Sequence, residues 1–279
     1  MNLSEIRTDT RRILAETTAA LSYFSDSDIN KFINAGIKHM CIEGGVYEKT
    51  QLITVANSVS AYRLPLDFLT VKVLRNHNNI PLDPIESLMV GASYTIAGLP
   101  LNYYATQAPI TLNAWTVATP YVLFPATCVT TATYIRPVTA NGYIYECVVA
   151  GTSHAATEPT WGTVLGSRLT ETGLTVTWAC REFFTSLFTL NLYDTPTTAG
   201  GGVGTYTLIY SALDEGLYVD TDSPNFPLDK HHYLVSFACF QCALKAKDVA
   251  LAAAFLSEYS AGMGLEMSAP GGGAGGPQG

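Results

Sequence analysis

Histidine and cysteine side chains are the first places to look for chemistry in this sequence. Cys239 and Cys242 have the C-x-x-C spacing of redox and zinc sites, but they lie inside a predicted helix without a second pair of ligands. His231 and His232 are adjacent, so they point in different directions on a helix and do not form a natural metal pair. We therefore interpret the cysteines as small buried apolar residues and give the histidines a structural role.

The remaining polar motifs are equally weak as catalytic signals. Asp214 and Glu215 form an acidic pair that could do acid–base chemistry, but a glycine follows them in a predicted loop, so a solvated turn explains them better. The glycine run at 200–204 lacks the Lys-Ser or Lys-Thr ending of a phosphate loop. His39, His77 and His154 have no serine or cysteine beside them in a nucleophile motif. We predict no catalytic, cofactor-binding or metal site, and we do not expect an enzyme.

Composition favours extensive contact with other chains. Hydrophobic residues make up 48% of the 279 residues and charged residues only 14%, whereas about a quarter of the residues of soluble domains are charged. The net charge of −8 disfavours tight binding to nucleic acid, although a duplex could pass through an acidic lumen without sticking. The N-terminus has no apolar run of a signal peptide, and no stretch reaches the roughly 20 apolar residues of a membrane helix. We expect assembly in a cytoplasm, with no membrane partner.

Helical periodicity marks both ends of the chain. Apolar residues in 3–21 share one stripe, which predicts an amphipathic helix. A second helix is predicted after Ser25, which can cap it, and Gly44 and Gly45 should end it. Residues 228–264 predict one long helix that is apolar on more than one face. Such a helix could pack against a neighbouring subunit, or it could lie at the centre of its own domain. The sequence is compatible with both interpretations.

Between these helices the period changes to two, which predicts short strands. Strand patterns cover 51–64 and 68–76, recur around 101–115, and resume at 187–193 and 204–212. Residues 85–90 could form a short helix, and the threonine and glycine residues of 197–204 predict a flexible linker. The predicted fold class is α+β, with a helical core from the N- and C-terminal helices and a beta subdomain from the intervening chain.

A change in composition marks residues 115–182 as an inserted small all-β module. Threonine, tyrosine, valine and tryptophan increase there, and lysine is absent. The order Y-x-C, E-P-x-W and G-x-x-V-x-W resembles small beta modules of phage structural proteins that are similar to carbohydrate-binding modules. Tyr143, Trp161 and Trp178 could stack on a glycan, but a module this small also needs its large aromatics for its own core. Burial is the favoured reading.

The C-terminal tail, residues 265–279, is rich in glycine. Its segment SAPGGGAGGPQG cannot form a core and is predicted to be disordered in an isolated chain. Leu265, Met267 and Pro270 are its sizeable apolar residues, so we predict that they dock on a partner or a neighbouring subunit.

Several motifs together resemble the head-to-tail adaptor (connector) family of tailed phages. Together they span almost the whole chain outside the inserted module. They are DINKFINAG at 28–36, YRLPLDFL at 62–69, PLDPI at 81–85, the tyrosine pair at 103–104, the strand ending at 209–210, the turn SPNFP at 223–227 and the C-terminal helix.

The resemblance implies a structural virion protein of the neck. It implies a ring of about twelve copies that joins the portal protein to a downstream tail or nozzle protein and lets genomic DNA pass without specific binding. It divides the chain into an adaptor core (1–114 plus 183–264), the inserted module (115–182) and the tail (265–279). Two alternatives remain: a tail or receptor-binding protein that binds glycans through the module, and a wall hydrolase, which would need an acid pair in a cleft.

Overall fold

The computed structural model describes residues 1–16, 23–85, 97–109, 112–123, 133–182 and 186–264. These residues divide into two compact units. The helical unit comprises the described residues of 1–47 and 213–264, and the β unit comprises those of 48–212. The α+β class predicted from the sequence is confirmed, with helices from both ends of the chain and sheets from the middle.

The helical unit contains four α-helices within the described residues. They are α1 (Leu3–Ile13), α2 (Asp26–Glu43), α3 (His231–Lys245) and α4 (Val249–Met263), with a short 3-10 helix at Leu228–Lys230. Helices α1 and α2 both pack on α3, and α4 packs on α3 as the second arm of a helical hairpin. The prediction that the terminal helices form one core is therefore confirmed.

Capping residues fix the N-terminal ends of α1 and α2. Asn2 and Glu5 form a capping box on α1, and Ser25 and Asp28 form one on α2, as the sequence predicted for Ser25. Helix α1 is shorter than the predicted 3–21, since it ends at Ile13 and the chain turns with a left-handed backbone at the residue after its cap. Gly44 ends α2, which confirms that prediction.

The predicted long helix over 228–264 is wrong, because the chain turns between α3 and α4. Lys247 has a left-handed backbone with φ of 63°, which ends α3. The side chain of Asp248 then accepts a 3.0 Å hydrogen bond from the backbone N–H of Leu251 and caps α4. Glycine 264, also left-handed, ends α4, as the sequence predicted.

The core of the helical unit forms where α2 and α3 approach closely. A Cβ atom added at Gly36 would lie only 2.9 Å from the ring of Phe237, so a glycine is needed for this approach. The buried apolar residues of the unit come from all four helices: Leu3, Ile6, Ile29, Ile33, Ile37, Met40, Leu234, Ala238, Cys239, Ala252 and Tyr259.

Short strands make up the β unit. They are β1 (Glu48–Val55), β2 (Ala61–Arg63), β3 (Phe68–Arg75), β4 (Asp83–Pro84), β5 (Ala97–Gly98), β6 (Asn102–Pro109), β7 (Asn113–Ala114), β8 (Pro120–Tyr121), β9 (Tyr134–Arg136), β10 (Tyr143–Val149), β11 (Gly151–Thr152), β12 (Arg168–Thr170), β13 (Thr177–Glu182), β14 (Ser186–Tyr193), β15 (Thr195–Pro196) and β16 (Gly204–Ala212). The predicted helix at 85–90 lies outside the described residues except for Ile85.

Three sheets carry most of the pairing in the β unit. One has the order β1-β16-β3, a second β2-β14-β6-β4, and the third β12-β13-β10-β9-β7. Strand β1 pairs antiparallel with β16 along its whole length, from Glu48 opposite Ser211 to Val55 opposite Gly204. The first and last strands of the unit are therefore neighbours, which closes it into one body.

A separate all-β module at 115–182 is not confirmed. The sheet that contains β9, β10, β12 and β13 also takes β7, from before the predicted boundary, in parallel pairing with β9. Tyr134 of β9 is buried beside Glu146 and near the backbone of Leu66, and burial raises its pKa well above the usual range. The described residues of 115–182 therefore belong to the same compact unit as the flanking strands.

The predicted flexible linker at 197–204 forms a hydrogen-bonded turn. The hydroxyl of Thr197 accepts from the backbone N–H of Gly200 at 3.0 Å, and its carbonyl accepts from Gly202 at 2.9 Å. Asn57 accepts a 3.0 Å hydrogen bond from the backbone N–H of Thr198 and ties the turn to the loop after β1. The glycines permit close approach to the backbone of Gly98.

Candidate functional site

An aromatic cluster fills one face of the five-stranded sheet. Strands β10 and β13 pair with Tyr145 opposite Cys180 and Cys147 opposite Trp178, so these side chains share that face. The buried members are Trp115, Tyr121, Ile135, Tyr145, Cys147, Val176, Trp178 and Cys180. The ring of Tyr121 meets that of Trp178 edge to face, with centroids 4.8 Å apart. The sequence prediction that these aromatics form a core agrees with this arrangement.

A buried carboxylate lies within this cluster. One oxygen of Glu171 accepts hydrogen bonds from the indole N–H groups of Trp178 at 2.8 Å and Trp115 at 3.0 Å, and the other accepts from the backbone N–H of His154 at 2.7 Å. Three N–H donors satisfy the buried charge. The sequence analysis missed Glu171, since a single glutamate after a strand carries no spacing signal.

Two of the predicted glycan-stacking residues lie at the edge of the cluster. Tyr143 and Trp161 are half-buried and pack against it. The ring of Trp161 lies 4.2 Å from that of Tyr145, and its indole N–H donates to Glu158 at 2.7 Å. The third residue, Trp178, is fully buried beneath them, with its ring centroid 5.9 Å from that of Trp161. Its faces are therefore closed to a sugar, and stacking stays a hypothesis for Tyr143 and Trp161.

The described cysteines are buried thiols. Burial raises the pKa of Cys239 and of Cys242 to about 12, so both are protonated and poor nucleophiles at neutral pH. Burial also raises the pKa of Cys147 to about 11, and Cys147 and Cys180 are free thiols in the aromatic cluster. None of these four side chains has the low pKa and exposure that thiol chemistry requires.

The side chains of Asp214, His231 and His39 hold local structure. Asp214 is buried and accepts a 2.7 Å hydrogen bond from the backbone N–H of Asn225, which ties two loop segments together. The ring of His231 is buried with Nε2 3.0 Å from the carbonyl oxygen of Phe226. His39 lies 2.8 Å from the hydroxyl of the buried Tyr259. These hydrogen bonds use the carboxylate and imidazole atoms that an acid–base or metal site would need.

No group of three histidine, cysteine, aspartate or glutamate side chains among the described residues is arranged to hold a metal ion. No described helix combines the length and the apolar character that crossing a membrane requires.

Helix α4 has an exposed face with little charge. Its inner face carries the buried Tyr259 and is completed by Gly262, which leaves room for the ring of Tyr233. Its opposite face, here called the α4 outer face, is exposed to solvent yet contains one charged residue. That face comprises Ala250, Leu251, Ala254, Ser257, Glu258 and Ala261.

Two apolar side chains of α4 are exposed on different sides of the helix. Leu251, on the α4 outer face, is 41% exposed, and Val249, in the first turn, is 73% exposed. An amphipathic surface helix normally turns charged and polar residues toward solvent. A largely uncharged, exposed helix face is therefore a candidate contact surface for another chain.

The predicted docking residues of the tail, Leu265, Met267 and Pro270, lie outside the described residues. Comparison of the sequence with models of protein families and with curated proteins found no match.

Proposed function

We propose that this chain is a structural, non-enzymatic subunit of a tailed-phage neck, a head-to-tail adaptor that assembles into a ring between the portal and the tail. The observation that carries this proposal is the exposed, almost uncharged outer face of α4. Closed rings of identical subunits need one surface that meets a different surface on the next copy. An apolar helix face that the subunit leaves open is suited to that role.

Burial energetics support the choice of α4 as a contact surface. Removal of apolar surface from water contributes about 25 cal/mol per Å², so Val249 and Leu251 gain little while they stay exposed. The alanines of the α4 outer face let a neighbouring helix approach closely and lose no side-chain entropy when they are buried. Contact with another chain would therefore stabilise residues that the isolated subunit leaves in water.

The arrangement of elements is consistent with the resemblance to the adaptor family. The segments DINKFINAG and YRLPLDFL lie in α2 and across β2 and the start of β3, and the turn SPNFP leads to the 3-10 helix before α3. The resemblance implies a helical core with a beta subdomain, and this chain has both. The portal, a downstream tail or nozzle protein and genomic DNA are the partners that the adaptor role proposes, and the virion neck is the proposed location.

Charge supports passage of DNA rather than capture. The chain has 23 acidic and 15 basic residues, for a net charge of −8. Affinity for a phosphate backbone depends on basic residues that release counterions. A ring built from such subunits would let a duplex move through its lumen without tight binding.

Assembly with the portal tests this proposal. The full chain would be purified, mixed with the portal protein encoded in the same genome, and studied by mass photometry and electron microscopy. The expected result is a closed ring of about twelve copies on the portal, with a lumen wide enough for duplex DNA. A chain that stays monomeric and leaves the portal unoccupied, at concentrations up to about 100 μM, would exclude the adaptor role.

A second candidate function rests on Tyr143 and Trp161. Both rings are half-buried at the edge of the aromatic cluster, where a sugar face could stack on them. A glycan array probed with the full chain tests this candidate, with the double variant Tyr143→Ala and Trp161→Ala as the control. Binding that the double variant loses would favour a tail or receptor-binding protein, whereas no binding to any glycan would remove the candidate.

A further inference from the structure

Helix α2 has an exposed stripe that matches α4 in spacing. Its buried side carries Ile29, Ile33 and Ile37, and the opposite side is exposed. That exposed side, here called the α2 outer face, comprises Lys31, Ala35, Lys38 and Ile42. Ile42 is 49% exposed, which is unusual for an isoleucine in a helix. Both lysines lie outside the ion pairs formed by the described residues.

The two helices repeat the same interval of exposed residues. Lys31, Ala35, Lys38 and Ile42 follow one another at steps of four, three and four residues. Leu251, Ala254 and Glu258 follow at steps of three and four along the α4 outer face, which matches Ala35, Lys38 and Ile42 in one direction and Lys38, Ala35 and Lys31 in the other. Three residues at these steps span about 10 Å of either helix, so the two stripes can lie side by side in register.

The charges distinguish the two directions in which the stripes can pair. In antiparallel pairing, Lys31 faces Glu258, Ala35 faces Ala254, and Lys38 faces Leu251. In parallel pairing, Glu258 would face Ile42 and would lose its cationic partner. Charge complementarity therefore favours the antiparallel arrangement.

We propose that the α4 outer face of one copy docks antiparallel on the α2 outer face of the next copy. This inference rests on the adaptor function proposed above. Leu251 packs against Ile42 and the methylene stem of Lys38, whose ammonium group stays in water. Ala35 meets Ala254 where the helices are closest. The ion pair between Lys31 and Glu258 fixes the register. Because the two faces differ, each copy uses both, and the contact propagates around a ring.

Charge reversal tests the register. Glu258→Lys and Lys31→Glu are each expected to weaken assembly on the portal about fivefold or more per contact, and the combination of both changes in one chain restores it. Glu182→Lys, an exposed glutamate of the β unit, is the matched control for the change in net charge. All three positions are on the surface, and circular dichroism checks that each of the four variants is folded.

Disulfide trapping provides a second measurement. A chain with Ala35→Cys and Ala254→Cys is expected to give a ladder of covalent multimers on a non-reducing gel after oxidation of the assembled ring. The wild-type chain, whose described cysteines are buried, is the background control. The parallel arrangement predicts a ladder from the chain with Ala35→Cys and Leu251→Cys, and none from the chain with Ala35→Cys and Ala254→Cys. That result would overturn the proposal.

The outcomes separate this inference from the proposed function. One outcome is that rings form on the portal, neither charge reversal disturbs them, and no multimers are trapped. Copies would then meet at other surfaces. The adaptor function would stand, and the docking proposal would fail. Absence of rings for the wild-type chain would remove both. Rescue by the double reversal, together with the Ala35–Ala254 ladder, would support both.

Discussion

Glu171 accepts a 2.8 Å hydrogen bond from the indole N–H of Trp178, and both side chains are buried among the aromatic residues of the five-stranded sheet. A second indole, that of Trp115, donates to the same oxygen, and the backbone N–H of His154 donates to the other. The carboxylate therefore joins β13, the segment after β7 and the loop that begins at His154.

Replacement of Glu171 by glutamine should destabilise the β unit. In this variant an amide NH2 group takes the place of one carboxylate oxygen and faces an N–H donor. That buried N–H loses its acceptor, which costs about 1–3 kcal/mol of folding stability. All three tryptophans of the chain, Trp115, Trp161 and Trp178, lie in this unit, so their fluorescence during urea unfolding reports its stability. Glu182→Gln, at an exposed position, is the control. Equal midpoints for the two variants would contradict a role for the buried carboxylate.

Asp28 should make the stability of the helical unit depend on acid. Hydrogen bonding to Ser25 and the nearby Lys245 lower the pKa of Asp28 from 3.8 to about 2. Because the folded-state pKa is the lower one, the stabilisation is complete above pH 4 to 5 and is lost as the pH falls toward 2. Asp28→Asn should therefore be less stable than wild type at pH 7, with a difference that disappears near pH 2. Thermal unfolding followed by helical circular dichroism measures this.

Asp229→Asn is the matched control for that experiment, because Asp229 is an exposed acid in the same unit. The difference in thermal stability between wild type and Asp28→Asn could instead stay constant from pH 7 to pH 2. The carboxylate would then not stabilise the cap through its charge.

Gly202→Ala should destabilise the β unit more than Gly201→Ala does. A Cβ at Gly202 would overlap the carbonyl oxygen of Gly98 and lie 3.0 Å from Pro196, so backbone must move, at a cost of about 1–3 kcal/mol. A Cβ at Gly201 meets open space, and its cost comes from the left-handed backbone alone, about 1 kcal/mol. Urea unfolding measured by tryptophan fluorescence compares the two variants. The reverse order would indicate that the turn moves away from Gly98 easily.

Truncation after Gly264 should weaken attachment to the portal and leave the subunit folded. Gly264 ends α4 with a left-handed backbone, so the cut leaves that helix complete. A free glycine-rich tail gains too little burial to offset its conformational entropy, so the prediction assigns its ordering to a partner. Portal binding measured at matched concentration and salt compares the truncated chain with the full chain. Full chains with Leu265→Ser and Met267→Ser separate anchoring by side chains from the effect of length. Unchanged binding by the truncated chain would exclude this docking.

Local signals in the sequence predicted the ends of several helices and the position of most strands. Ser25 predicted the start of α2 because a capping residue acts within one turn of its helix. The break at Lys247 was missed, since alanine-rich sequence on both sides favours a continuous helix and a lysine rarely adopts a left-handed backbone.

Contacts between distant residues could not be predicted in the same way. Nothing in the spacing of Glu171 indicates that it meets Trp115, because the partners come together only after three strands have paired. The α4 outer face was visible as apolar residues on several sides of a helix, but exposure depends on where α3 packs. The sequence therefore predicted an unusual helix and left its solvent-facing side undetermined.

The pairing of β1 with β16 has a consequence for synthesis on the ribosome. Helices α1 and α2 leave the ribosome before the β unit, whereas α3, on which both of them pack, follows it. Translation of the intervening strands takes on the order of ten seconds, and during that time the apolar sides of α1 and α2 lack their final partner. The nascent N-terminus is therefore a candidate substrate for chaperones. The β unit, closed once β16 has emerged, can fold before the helices that flank it.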